Sequence, residues 1–287
     1  MKVLITGGAG YIGSHLCEEL AKNKSNIVYA LDNYSTGSKE NHIEGVTYIE
    51  GNTYDIDSLI DFSPDIIYHL GEYSRVERSF EDIENVWASN KAGIFAVLQF
   101  CRKTGAKLIY SGSSTKFADG GLGKSQSPYA WTKATNTELV KNYGHWFGIS
   151  YAITYFYNVY GGRELATGKY ATLIAIFKSQ YLNKQPLTVV SPGTQIRNFT
   201  NIKDIIAGLI LVGEKGEGDN YGIGCSESFS VLEVANMFGS EIIMLPERKG
   251  NRMDAELVCE KTKNLGWKES GRSVGQYIET IKKYQQL

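Results

Sequence analysis

The sequence predicts an α/β protein: a doubly wound parallel sheet with a smaller C-terminal α/β domain. Three observations carry this. The β-branched runs of the first half are continuously apolar and are separated by helical patterns, as in a sheet covered on both faces. Gly7, Gly10 and Gly13 stand between the first such run and the first helical pattern. Near Gly161 the rhythm of strands and helices changes.

KVLIT opens the chain as a buried strand, and Ile12 to Lys22 follows as a helix with Ile12, Leu16 and Leu20 on one face. IVYALD, VTYIEG and DIIYHLG read as the next three strands. Asn85 to Lys103 is a long helix carrying Val86, Phe95, Val97, Leu98 and Cys101, and KLIYSGS is a strand ending in small hydroxyl residues. A helix from Tyr129 is expected to stop at Gly144, followed by the strand ISYAITYFYNVYG. After Gly161 come a helix from about Ala171 to Tyr181, the short strand LTVVS, and a helix beginning near Asp204. SFSVLEVANMFG is a further helix capped by Ser228 or Ser230. A strand-loop over 241–250 and a last helix near Val274 complete the pattern. Residues 1–160, with a return around 200–215, form the expected nucleotide domain, and 161–287 the smaller one.

Bulk properties exclude several functions. The 30 basic and 31 acidic residues nearly balance, with no basic tract for nucleic acid and no acidic tail. The four cysteines, Cys17, Cys101, Cys225 and Cys259, are far apart and form no C-x-x-C or Cys/His cluster, so neither a metal site nor a disulfide framework is expected. A reducing cytoplasm follows as the expected location. The opening apolar run is too short for a signal segment, and no run is long enough to span a bilayer.

The glycines form G-x-x-G-x-x-G, a tight turn that lets backbone amides approach a pyrophosphate at the positive end of a helix, as in Rossmann-type folds. Tyr11 and Ile12 belong to the same turn. Asp32 ends the second strand about 20 residues on, where a carboxylate bonds a ribose 2′-hydroxyl and repels a 2′-phosphate. NAD is therefore expected over NADP. Asn33 beside it, Asn52 after the third strand, Leu70 and Gly71 after the fourth and Ser111 at the end of the fifth join the expected cofactor set.

Tyr129 and Lys133 stand one helical turn apart in SPYAWTK. Free tyrosine titrates near ~10, far too high for a base at neutral pH, but a neighbouring ammonium favours its phenolate. With a hydroxyl from YSGSST holding the substrate, such a trio can deprotonate an alcohol while a hydride leaves its carbon.

Together these segments resemble the extended short-chain dehydrogenase/reductases of the NAD-dependent sugar-nucleotide epimerase/dehydratase type, nearest to the UDP-glucose 4-epimerases among them. TGGAGYIGSH, LDNYSTG, HLGEYSRVERSF, NKAGIFAVLQFC, SGSSTKF, SPYAWTK, YNVYGGRE, QIRNFTNIKDI and RKGNRMDAELVCEKTKNLGW match the family's blocks in order over nearly the whole chain. The resemblance implies Tyr129 as base, Lys133 as its partner and a ligand of the nicotinamide ribose, and Ser113 as hydrogen-bond partner of the reacting hydroxyl. It implies Asn90 near the cofactor, and Asn158, Arg197 and Arg248 on the substrate's nucleotide diphosphate. It implies a homodimer built through a four-helix bundle of the segments near Asn85–Lys103 and Thr132–Tyr143, with Phe95, Leu139 and Val140 outward.

Departures narrow the reaction. Related dehydratases carry an Asp-Glu pair just after the strand-end hydroxyl, and decarboxylases a glutamate; here that stretch is Ser114, Thr115 and Lys116. Oxidation at C4, rotation of the keto sugar and hydride return need no such carboxylate, so 4-epimerisation is the expected reaction. Ala255, seven residues after Arg248, leaves room for an N-acetyl group, so UDP-Glc/Gal and UDP-GlcNAc/GalNAc are both expected substrates. The loop from Phe117 to Pro128 is short, and Asn198 and Asn251 stand where relatives carry aspartate.

Overall fold

The computed structural model describes residues 1–168, 170–247, 253–254 and 256–285. Strand β1 (Lys2–Thr6) leads through the glycine turn into helix α1 (Tyr11–Lys22), and β2 (Ile27–Asp32), β3 (Val46–Glu50) and β4 (Ile66–His69) follow. Helix α2 (Gly93–Thr104), β5 (Lys107–Ser111), α3 (Pro128–Phe147) and β6 (Tyr151–Phe156) complete the first half. Beyond it, α4 (Leu173–Leu182) precedes β7 (Leu187–Val190), and α5 (Ile202–Lys215) precedes β8 (Gly218–Ile223). Then come α6 (Val231–Phe238), β9 (Ile242–Leu245) and α7 (Val274–Gln285).

Seven strands form one sheet in the order β3-β2-β1-β4-β5-β6-β8, every neighbouring pair parallel. The strand order reverses between β1 and β4, the point where open α/β sheets bind ligands beyond their carboxyl ends. Continuous burial of Val3, Leu4 and Ile5 shows why β1 does not alternate: both of its faces are covered. One face packs Leu16 and Cys17 of α1 with Ile205 and Leu209 of α5. The other packs Ile94, Val97 and Leu98 of α2 with Val140 and Tyr143 of α3. A separate core joins Phe177, Leu187, Val189, Val234, Phe238 and Ile278, around the parallel pair β7 and β9.

Several local expectations change. Helix α3 does not stop at Gly144 but runs to Phe147, and Gly148 ends it in the left-handed region at φ 69°. Gly144 serves packing instead: a Cβ there would lie 2.3 Å from the Tyr151 ring. The long helix expected from Asn85 is α-helical over Ile83–Val86, widens into a π turn at Trp87–Ala92, and resumes as α2. Helix α5 begins at Ile202, because Asn201 caps it by accepting from the Lys203 N–H at 3.0 Å. Ser230, not Ser228, caps α6, in a capping box with Glu233. Val140 is buried in the core, and Leu139 packs against that core partly buried, so of the three residues expected outward only Phe95 is.

Candidate active site

A cavity of about 960 Å³ opens beyond the carboxyl ends of the strands, at the large end of ligand sites. Gly7, Gly10, Tyr11, Ile12 and Gly13 form its floor. Gly7 adopts φ 72°, and a Cβ on Gly13 would fall 2.0 Å from the Gly7 carbonyl oxygen. Only glycine lets helix and turn approach this closely, which leaves the α1 amino end bare for a phosphate. Gly71 presses on the same turn: its added Cβ would lie 2.9 Å from the Gly7 nitrogen.

Asp32 ends β2 in the wall, with Oδ2 accepting from the Ala9 N–H at 2.9 Å and Oδ1 from the Tyr34 N–H at 2.8 Å. Burial pushes its carboxyl above the usual range, against the pull of these backbone donors. The carboxylate thus braces the glycine turn while facing the cavity. Asn33 donates to Asn52 Oδ1 at 2.9 Å, tying the ends of β2 and β3 along the same rim, and Leu70 lines the cavity beside Gly71. These features fit a dinucleotide: a glycine cradle a Cβ would fill, and a carboxylate placed for a ribose.

Tyr129 and Lys133 enter from α3. Ser127 caps the helix by accepting from the Ala130 N–H at 3.1 Å, and Pro128 takes the first helical position, where no N–H is needed. This sets Tyr129 on the first turn. Its hydroxyl donates to Ser113 Oγ at 3.2 Å. Ser113 Oγ also accepts from Thr115 Oγ1 at 2.9 Å, which leaves its own O–H to donate into the cavity. Lys133 Nζ donates to the Ser111 carbonyl at 2.6 Å and to Glu72 Oε2. Ser111 Oγ in turn donates to the His69 carbonyl at 2.9 Å, joining β5 to β4.

Other expected residues take different places. Asn90 does not line the cavity: fully buried behind its wall, it accepts from the Tyr73 N–H at 2.7 Å and donates to Thr132 Oγ1 at 3.1 Å. Asn158 lines the cavity at φ 35° and donates to the Asn198 carbonyl at 3.1 Å. Arg197 lines it from the short strand Ile196–Asn198, with Nη1 donating to the Ile196 carbonyl at 2.8 Å. Arg248, Asn251 and Ala255 lie outside the described residues. Lys116 turns from the cavity to Asp219, 2.9 Å away, and to the Tyr155 hydroxyl. Among the described residues no His, Cys, Asp or Glu cluster could hold a metal ion, and no helix is long and apolar enough to cross a membrane.

Two cavity residues escaped the sequence reading. Arg75 donates to the Tyr170 carbonyl, and its Nε is buried with no partner. Glu72 is buried and paired with Lys133. The sequence signal for it was a charged residue two positions beyond the strand run DIIYHL.

Residues 3–224 match the model of the NAD dependent epimerase/dehydratase family, and the chain belongs to that family. It is 32% identical over 260 residues to an uncharacterized UDP-glucose epimerase, YtcB, of Bacillus subtilis strain 168, covering 83% of this chain and 81% of that one. It is 30% identical over 284 residues to a putative UDP-glucose 4-epimerase of Methanocaldococcus jannaschii, covering 93% and 92%. The fold superposes on UDP-glucose 4-epimerase of Thermotoga maritima, solved with UDP-glucose, with a TM-score of 0.90 at 25% identity, covering 100% and 99%.

Proposed function

We propose that this protein is an NAD-dependent nucleotide-sugar 4-epimerase acting on a UDP-sugar such as UDP-Glc/Gal or UDP-GlcNAc/GalNAc. The observation that carries the reading is the Tyr129–Ser113 hydrogen bond, with Lys133 on the same cavity wall. The names of its relatives support it. NAD, which the Gly7–Gly13 turn and Asp32 would hold, would supply the hydride acceptor and donor for C4. Ser113 donates a hydrogen bond to the C4 oxygen and holds it against Tyr129. Tyr129 takes the hydroxyl proton and gives it back after the keto sugar has turned in the cavity. Lys133 favours the phenolate that accepts the proton. Ser114 and Thr115 line the wall beside Ser113 without a carboxylate, which favours epimerisation over elimination or decarboxylation. Arg197 and Asn158, which line the cavity, bind the nucleotide diphosphate in this reading, together with Arg248. In this reading residues 1–160, with the return through α5, hold NAD, and 161–287 hold the nucleotide.

NAD-loaded protein offered UDP-, dTDP- and GDP-sugars without added cofactor is the direct test. The expected product is the C4 epimer of a UDP-sugar, of unchanged mass, with no net NADH. Loss of water or carbon dioxide, or consumption of added NADH, would show another reaction of the family. A full panel without turnover would leave only an NAD-binding scaffold.

Asp32→Asn is expected to reduce the preference for NAD over NADP at least about tenfold, since one charge-assisted hydrogen bond is worth about 1.5–3 kcal/mol. Titration of the apoprotein with both cofactors measures this, and an unchanged ratio would place the discrimination elsewhere.

The proposed assembly is a homodimer through the helices around α2 and α3. Trp87 and Trp131 are exposed and stacked, with ring centroids 5.8 Å apart, and Phe95 of α2 is exposed as well. Exposed rings on adjacent helices suit a symmetric interface. Phe95→Glu is expected to give monomers in sedimentation velocity; an unshifted profile would remove this face from the interface. Cytoplasmic location is proposed with it, and the four free cysteines accord with a reducing compartment.

A further inference from the structure

Glu72 follows β4 directly, and its side chain is only 2% exposed although it lines the cavity. Its oxygens are fully engaged. Oε2 takes Lys133 Nζ and the Tyr110 hydroxyl, the latter at 3.0 Å; Oε1 takes Asn136 Nδ2 at 3.1 Å. His69 Nε2 lies 3.6 Å from Oε1. The charged and titratable groups that face the carboxylate are therefore His69 from β4, Tyr110 from β5 and Lys133 from α3. Lys91 stands one step behind, donating to Asn136 Oδ1 at 2.8 Å, and Arg75 and Tyr129 lie on the cavity side. Burial opposes the charge of Glu72, but Lys133 and His69 outweigh it and hold the carboxyl well below its ordinary range.

We propose that Glu72 is a positioning residue acting through Lys133: its carboxylate fixes the ammonium one helical turn from Tyr129 and cancels the charge the ammonium would otherwise impose on the cavity. This rests on the reading of Tyr129 and Lys133 as the reacting pair. With two of its three donors held by Glu72 and the Ser111 carbonyl, Lys133 has one orientation and one donor left for the cavity. An uncompensated ammonium would favour the Tyr129 phenolate more strongly, and it would repel the cationic ring of oxidised NAD. Glu72 moderates both effects, so the oxidised cofactor is held without penalty at the cost of a working range set at higher pH.

Two variants separate charge from position. Glu72→Gln keeps the shape and removes the charge. The acid limb of its pH–rate profile is expected to move down by about one pH unit, and its ratio of NAD to NADH dissociation constants to rise about tenfold. Glu72→Asp keeps the charge but draws the carboxylate back by one methylene. Limb and ratio are expected to stay, while kcat falls by about tenfold or more from the misplaced ammonium. A Glu72→Gln protein with both the profile and the affinity ratio of the wild type overturns the proposal. So does a Glu72→Asp protein with wild-type kcat, which decides the matter if Glu72→Gln does not fold. If wild-type protein epimerises no sugar, the proposed function fails, while the NAD/NADH ratio still tests Glu72.

Discussion

Tyr129→Phe is expected to lower kcat by about 10²–10⁴-fold while leaving bound NAD and stability nearly unchanged. The phenol makes one long hydrogen bond, 3.2 Å to Ser113, and its ring packs with Tyr73 and Val86 whether or not the hydroxyl is present. Losing that bond costs about 1 kcal/mol at most. The chemistry loses its proton carrier, because Ser113 has no basic group of its own. Initial rates on the preferred UDP-sugar, with NAD measured after denaturing the protein, check both halves. Wild-type turnover in this variant would remove Tyr129 from the mechanism and with it the epimerase reading.

Lys133→Met should show the opposite balance, losing turnover and stability together. It leaves the Glu72 carboxylate buried without its cation, which typically costs about 3–5 kcal/mol. Adding Glu72→Gln should restore most of the stability but not the turnover, and urea denaturation of the four proteins measures the coupling. The pH dependence has a definite sign. The Glu72 carboxyl is lowered from 4.5 to about 2, so its contribution is complete above the ordinary carboxylate value and is lost as pH falls toward 2. In Lys133→Met burial is no longer offset by the ammonium, so the carboxyl rises and the sign reverses: the variant's deficit relative to the wild type should shrink as pH falls through the raised value. A single variant as stable as the wild type would show that the pair does not support the fold.

Much of the fold was legible because its signals are local. A buried parallel strand must be apolar on both faces, and β1, β2 and β4 are. The glycine turn was legible because no other residue permits the approach seen between Gly7 and Gly13. Boundaries were less so. Gly144 reads as a helix stop, yet a ring from β6 occupies the space its side chain would need, and nothing near it in sequence reveals that. The dimer that the family resemblance implies would turn Val140 outward, but α3 packs that residue into the core against the sheet.

The sequence by itself determined the order of strands and helices, the glycine turn and the Tyr129–Lys133 pair, since each depends on residue types at fixed short spacings; the family resemblance added Ser113 as the third member of the proposed trio. Tertiary structure alone decided what surrounds that trio. Asn90 became a brace behind the wall because its amide is consumed by Tyr73 and Thr132. Asp32 holds the glycine turn as well as facing the cavity. The residues that follow Ser113 in the chain, Ser114, Thr115 and Lys116, carry no carboxylate, while Glu72 reaches Lys133 from 61 residues away. A parallel sheet places the ends of β4 and β5 side by side however distant they are in sequence, and burial makes the resulting ion pair matter.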